Sequence, residues 1–278
     1  QTGEDADAYQ STPIVVNGIL YTSTNHGQVF AVDASTGDLV WHYRYPPPDA
    51  DAASFILTRP QNRGVAVSEG RVFLGTYDNH VVAIDAMTGE ELWKVNVDNA
   101  RQCGCLISGA PLVVKDKVIV GGTGGDGAHR GYLTAFNTEN GRLAWRFYIV
   151  PGPGELGHDT WKGDSWKHGG GAAWMTGSFD PELNLVYWGT GNAASDFYSG
   201  DRVEEGTDLD GDVNLFTASV VALDADTGKV RWYYQEIPND VWDYDSAYEV
   251  VLINRVLDGE MRKLLVHMNK GGLTFVLD

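Results

Sequence analysis

The chain has 278 residues, 43% of them hydrophobic, and a formal net charge of −18. That is ample apolar material for a buried core, while a surface this acidic repels phosphate backbones and anionic lipid, so nucleic acid is not an expected partner. No apolar run approaches the roughly 20 residues of a membrane helix, and the opening QTGEDADAYQ has neither the basic nor the apolar region of a signal peptide.

Thirty-four glycines and an aromatic content of 11% favour many short strands joined by tight turns. Residues alternate as in strands in PIVVNGILYTS and PLVVKDKVIVGG, with Asn17-Gly18 and Asp116-Lys117 where two-residue hairpin turns belong. Four segments share one pattern: AVDASTGDLVW from Ala31, AIDAMTGEELW from Ala83, AFNTENGRLAW from Ala135 and ALDADTGKVRW from Ala222. Trp41, Trp93 and Trp145 recur every 52 residues and Trp232 follows after 87, so an insertion of about 35 interrupts the array. Each Asp/Asn-x-x-Thr/Asn-Gly reads as the turn into the last strand of a unit, and the Trp as a residue docking one unit on the next. A period near 50 with several strands per unit predicts an all-β fold, a β-propeller of four-stranded antiparallel blades. Residues 1–278 read as a single partial propeller domain of four to five blades, part of a longer chain, ending at GGLTFVLD in or just after a strand.

Cys103 and Cys105, in RQCGCLIS, lie on the same side of an extended strand if the segment is one. Without a nearby His they cannot fill a zinc site; a small disulfide and two buried free thiols are the alternatives. In GGTGGDGAHRGY, residues 121–132, Asp126 sits in a glycine-rich turn lacking the Lys-Ser/Thr and the following helix of a phosphate loop. An aspartate among glycines binds a cation or caps a turn.

The insertion carries Gly169 to Gly171, which permit close backbone approach, and Trp174, either a core residue or a flat face suited to a planar aromatic ligand. Asn192, in YWGTGNAAS, offers a hard amide oxygen. With Asp126 and with Asp243 and Asp245 of DVWDYDSAYE, it makes an all-oxygen set suited to calcium or a larger trivalent ion, whereas zinc calls for His or Cys. Asp208, Asp210 and Asp212 lack the Gly and Glu positions of an EF-hand and read as a surface loop.

Over essentially its whole length the sequence resembles the first half of the pyrroloquinoline quinone (PQQ)-dependent alcohol dehydrogenases, eight-bladed quinoprotein propellers of the periplasm. The docking repeats, NRGVAV, GAPLVV, RGYLTAFNTENGRLAWRFY, GDSWKHGGGAAW, DPELNLVYWGTGN, WDYD and HMNKGGLTFVLD fall in family order. The resemblance implies that Asp126 replaces a metal-binding glutamate, that Asn192 is the asparagine ligand and that Asp243 is both ligand and catalytic base. It further implies that Asp245 is an added ligand, as in members associated with lanthanides, where calcium users have a small neutral residue. A lanthanide is thus favoured, with calcium the alternative. Trp174 matches the quinone floor, and Arg63, Ser108, Thr123, Gly124, Gly125 and Lys270 match groups that bond the quinone's carboxylates and carbonyls. The implied reaction oxidises a small-molecule alcohol to an aldehyde by hydride transfer to the quinone. Implied partners are a cytochrome c electron acceptor and a second copy in a homodimer.

Several positions depart from that pattern. Leu57 and Thr58 stand where the family has adjacent cysteines, Gln10 where a glutamate is expected, Ala172 where a threonine flanks the floor tryptophan, and Asp126 is one methylene shorter than glutamate. Two rivals remain on sequence: a non-catalytic propeller serving as a protein-binding scaffold, and a carbohydrate-active propeller hydrolase.

Overall fold

The computed structural model describes residues 9–47, 51, 54, 59–127 and 129–278. The strands are β1 (Ile14–Val16), β2 (Ile19–Ser23), β3 (Gln28–Asp33) and β4 (Leu39–Arg44), then β5 (Ala66–Ser68), β6 (Arg71–Gly75), β7 (His80–Asp85) and β8 (Glu91–Asn96). They continue with β9 (Leu112–Val114), β10 (Lys117–Gly121), β11 (Tyr132–Asn137) and β12 (Leu143–Tyr148), and with β13 (Ser178–Asp180), β14 (Leu185–Gly189), β15 (Ser219–Asp224) and β16 (Val230–Gln235). Last come β17 (Val251–Leu257), β18 (Glu260–Met268) and β19 (Thr274–Leu277). Each set of four forms one sheet with neighbours in chain order, and the last three form a three-stranded sheet. No helix among the described residues is long and apolar enough to cross a membrane.

The chain divides into two compact units, Gln1–Gly124 with Thr134–Ala144, and Gly125–Leu133 with Trp145–Asp278. In the first, Val29, Trp41, Tyr43, Val72, Leu74 and Val82 belong to one buried apolar cluster; in the second, Tyr187, Val220, Ala222, Val250 and Leu265 form another.

The repeat has a physical explanation in both units. Its first and last residues are directly paired across strands: Ala31 with Trp41, Ala83 with Trp93 and Ala222 with Trp232, with a bulge just after the Ala in each sheet. Its Asp or Asn folds the intervening turn. Asp33 Oδ1 accepts the N–H groups of Ser35 and Thr36, and Asp85, Asn137 and Asp224 do the same for the second and third residues after them. The glycine then lies flat beneath the tryptophan of an earlier repeat. A Cβ on Gly89 would stand 2.8 Å from Trp41, one on Gly141 2.8 Å from Trp93, and one on Gly228 2.5 Å from Trp145. Each indole N–H also donates to a carbonyl of that same turn: Trp41 to Ala86 (2.9 Å), Trp93 to Thr138 (3.1 Å) and Trp145 to Ala225 (3.1 Å). Docking by these tryptophans is as expected.

Two local expectations need correction. Asn17-Gly18 makes its hairpin turn with both φ angles positive, but Val114 pairs with Lys117, so the second turn is Lys115-Asp116, with Lys115 at φ 54°. Around the cysteines there is a single helical turn, α1 (Ala100–Cys103), instead of a strand. Asn99 caps its start, Gly104 ends it at φ 60°, and Cys103 and Cys105 are joined in a disulfide.

The insertion is divided between two connections, residues 149–177 before β13 and residues 190–218 between β14 and β15. In an antiparallel sheet the start of the first strand and the end of the second lie at the same end, where the first hairpin opens. Every candidate site residue falls in a segment at that end of a sheet.

Candidate active site

In the second unit the triple glycine stitches two site-bearing segments together. The Gly131 N–H donates to the Gly170 carbonyl (2.8 Å), the Gly170 N–H to His129 (2.9 Å), and the Gly171 N–H to the Asn192 carbonyl (2.8 Å). Gly170 and Gly171 have φ of +78° and +73°, and a Cβ on Gly131 would fall 1.9 Å from the Gly171 carbonyl oxygen. The close approach expected of Gly169 to Gly171 thus draws the segment after β10, with Asp126, to the segment after β14, with Asn192.

The WDYD segment is a turn. Asp243 and Asp245 both have positive φ, 57° and 47°. The buried Asp240 organises the turn, its carboxylate accepting the N–H groups of Trp242 (3.0 Å), Tyr244 (2.9 Å) and Asp245 (3.1 Å). Asp243 and Asp245 nevertheless serve one locus. Lys270, after β18, places its ammonium 2.7 Å from Asp243 Oδ1 and 2.9 Å from Asp245 Oδ2, and its backbone N–H donates to the Tyr244 carbonyl. Asp245 Oδ1 accepts the Asn192 N–H at 2.8 Å.

The electrostatics are those of crowded carboxylates. Burial, then the Asp243 charge, push the Asp126 carboxyl above the usual range, against a hydrogen bond from Asn192. Burial likewise raises Asp245 despite Lys270. Burial works against the Lys270 ammonium, but its two carboxylates outweigh this and push its pKa up. Asp196, which sequence reasoning missed, accepts a hydrogen bond from Asn192 Nδ2. Burial and the charges of Asp126, Asp243, Asp245 and Asp240 push it up to about 6.

Trp174 is half-buried, its ring edge-to-face with Tyr248 at 5.7 Å between centroids. Gly125 lies against Ala172, 3.0 Å from where its Cβ would be. In the first unit, Arg63, Ser108 and Thr123 form one backbone-linked group: the Arg63 N–H donates to the Ser108 carbonyl (2.9 Å), and Thr123 exchanges hydrogen bonds with the Leu106 backbone. Asn62, buried, fixes Arg63 from the preceding position through Ser23, Gly75 and Gly64. Gly124 follows Thr123 with φ +94°.

The family model of the PQQ glucose/ethanol/alcohol dehydrogenase beta-propeller domain matches residues 1–278. The chain belongs to this family. Among relatives of this PQQ dehydrogenase domain is quinohemoprotein alcohol dehydrogenase ADH-IIG of Pseudomonas putida, 40% identical over 280 residues, 97% of this chain and 38% of the relative. Another is the quinohemoprotein alcohol dehydrogenase of Comamonas testosteroni, 40% identical over 287 residues, 99% of this chain and 40% of the relative. The chain therefore spans about two-fifths of the length of these curated relatives. Of solved structures, that of ADH-IIG matches with TM-score 0.89 and 40% identity, covering 99% of this chain and 41% of that one. A europium-containing methanol dehydrogenase matches with TM-score 0.87 and 34% identity, covering 98% and 49%.

The donor set fits an ion of the kind a PQQ dehydrogenase domain would hold. Asp126, Asn192, Asp243 and Asp245 offer oxygen ligands, and the carboxylates of Asp243 and Asp245 already share one ammonium. Of the departures from the family pattern, Gln10 is exposed and Leu57 and Thr58 lie outside the described residues.

Proposed function

We propose that this chain is the N-terminal part of a PQQ- and metal-dependent alcohol dehydrogenase, a single partial propeller domain, that oxidises an alcohol to an aldehyde. The observation that carries the reading is the meeting of Asp243, Asp245, Asn192 and Lys270, drawn from three separate connections, beside Asp126. Bound PQQ would supply two-electron redox chemistry at a quinone carbonyl, with the ion as Lewis acid.

Asp126, Asn192, Asp243 and Asp245 hold the ion. Asp243 also accepts the alcohol proton on its carboxylate, and Lys270 orients that carboxylate. In the second unit Trp174 would provide a flat face and Gly125 a close approach for the cofactor, and in the first unit Arg63, Ser108, Thr123 and Gly124 are the residues that the family resemblance assigns to its polar groups. The extra carboxylate of Asp245 favours a trivalent lanthanide over calcium. Electrons leave to a cytochrome c, and the enzyme works in the periplasm.

The test is dye reduction by the full-length protein with a panel of alcohols, with and without PQQ, calcium and a lanthanide. Turnover that requires both quinone and ion is the expected result. Failure to bind PQQ with either ion overturns the assignment and favours a protein-binding scaffold.

A further inference from the structure

We propose that Asp196 is a positioning residue for the ion: it holds the Asn192 side chain and adds a further carboxylate, so that the site prefers a trivalent to a divalent cation. This rests on the metal reading above. Asn192 is buried, 2% exposed, and its Nδ2 donates to Asp196 Oδ1. An amide held through its nitrogen presents its oxygen on the other side, so the contact fixes Asn192 Oδ1 as an oxygen ligand.

The position of Asp196 is itself built in. Arg202, 0% exposed, donates from Nη1 to the carbonyls of Ser195 (2.7 Å) and Tyr198, on either side of Asp196, and from Nη2 to the Asp240 carbonyl (2.9 Å). Its Nε donates to Asn214 Oδ1 at 3.1 Å. One guanidinium thereby ties the Asp196 loop to the turn that presents Asp243 and Asp245. Among the described residues Asp196 makes no direct salt bridge, although its charge is felt by the Arg202 guanidinium. Five carboxylates, Asp126, Asp196, Asp240, Asp243 and Asp245, against two cations, the Lys270 ammonium and the Arg202 guanidinium, leave three net negative charges, a match to a trivalent ion.

Coulomb energy scales with the charge of the ion, so loss of one carboxylate charge lowers log affinity for a trivalent and a divalent ion in the ratio 3:2. The test uses the full-length protein stripped with EDTA, titrated with Tb3+ by sensitised luminescence and with Ca2+ by competition. Asp196→Asn keeps an acceptor for Asn192 but removes the charge. Tb3+ affinity should fall about thirtyfold and Ca2+ affinity about tenfold, a selectivity loss of about threefold by that ratio. Asp196→Glu should restore most of the preference, and Asp196→Ala should lose more than Asp196→Asn. Unchanged affinities, or equal losses for both ions with a lowered melting temperature, overturn the role of Asp196 alone. If the unaltered protein takes up neither ion, the metal reading fails and this role fails with it.

Discussion

Lys270 grips Asp243 from the connection after β18, its ammonium 2.7 Å from Oδ1, while its own backbone N–H is held by the carbonyl of the next residue, Tyr244. The lysine is thus positioned by the turn it neutralises. Replacing it with methionine removes a cation that competes for the carboxylates and a group that orients the base. Lys270→Met should bind Tb3+ more tightly, yet oxidise alcohols about a hundredfold more slowly, a loss within the range for a positioned acid–base partner. Luminescence titration and dye reduction on the same preparation check both signs.

Asp245 is 7% exposed, bonded both to Lys270 and to the Asn192 N–H. Asp245→Ala should abolish lanthanide-supported turnover. Asp245→Asn, which keeps an acceptor for Asn192, separates the lost charge from the lost hydrogen bond. Unchanged lanthanide-supported turnover in both variants would remove Asp245 from the ligand set.

The pH dependence of stability has a defined sign. Asp196 titrates near 6 in the folded protein, above its usual 3.8, so its favourable contribution is complete below about pH 4 and is lost as pH rises through 6. In EDTA, Asp196→Asn should melt with the unaltered protein at pH 4 and above it at pH 7. Added lanthanide should erase that advantage. Thermal unfolding across this window reads it directly.

Gly228 has φ +69° and would drive a Cβ to 2.5 Å from Trp145, whereas Gly37, at φ +80°, faces open space. Gly228→Ala combines a left-handed backbone cost of about 1–2 kcal/mol with overpacking of about 1–3 kcal/mol. Gly37→Ala carries only the first. Denaturant unfolding should therefore separate the two variants by more than 1 kcal/mol, Gly228→Ala the weaker.

Much of the fold was legible because its determinants are local. Alternation marks strands, and Asp-x-x-Thr-Gly marks a turn whose carboxylate bonds the N–H groups just after it. Ala31 and Trp41 sit ten positions apart because they face each other across one hairpin. Even the slip at Lys115-Asp116 is a one-residue error within a correctly placed hairpin. The site was legible to a lesser depth. Asp126, Asn192, Asp243, Asp245 and Trp174 stood out as residues the scaffold does not require. The close approach at Gly169 to Gly171 was visible because only glycine admits it.

Asp196, Asp240 and Arg202 were not visible, because their roles depend on how irregular loops are wound: Asp196 turns back onto Asn192 four residues earlier, Asp240 folds the turn up to Asp245, and Arg202 reaches across to the Asp240 carbonyl. Arg202 was the one signal within reach, a lone basic residue in an acidic loop. Whether Cys103 and Cys105 pair depended on a helical turn that Gly104 ends, and how Asp243 and Asp245 reach one lysine depended on a turn wound around Asp240. Local hydrogen bonding and side-chain periodicity are written residue by residue, so the amino-acid order alone carries the strands, turns and docking tryptophans. The burial and mutual repulsion of carboxylates from different sheets arise only when the folded chain gathers them, and so the chemistry of the site is settled by packing.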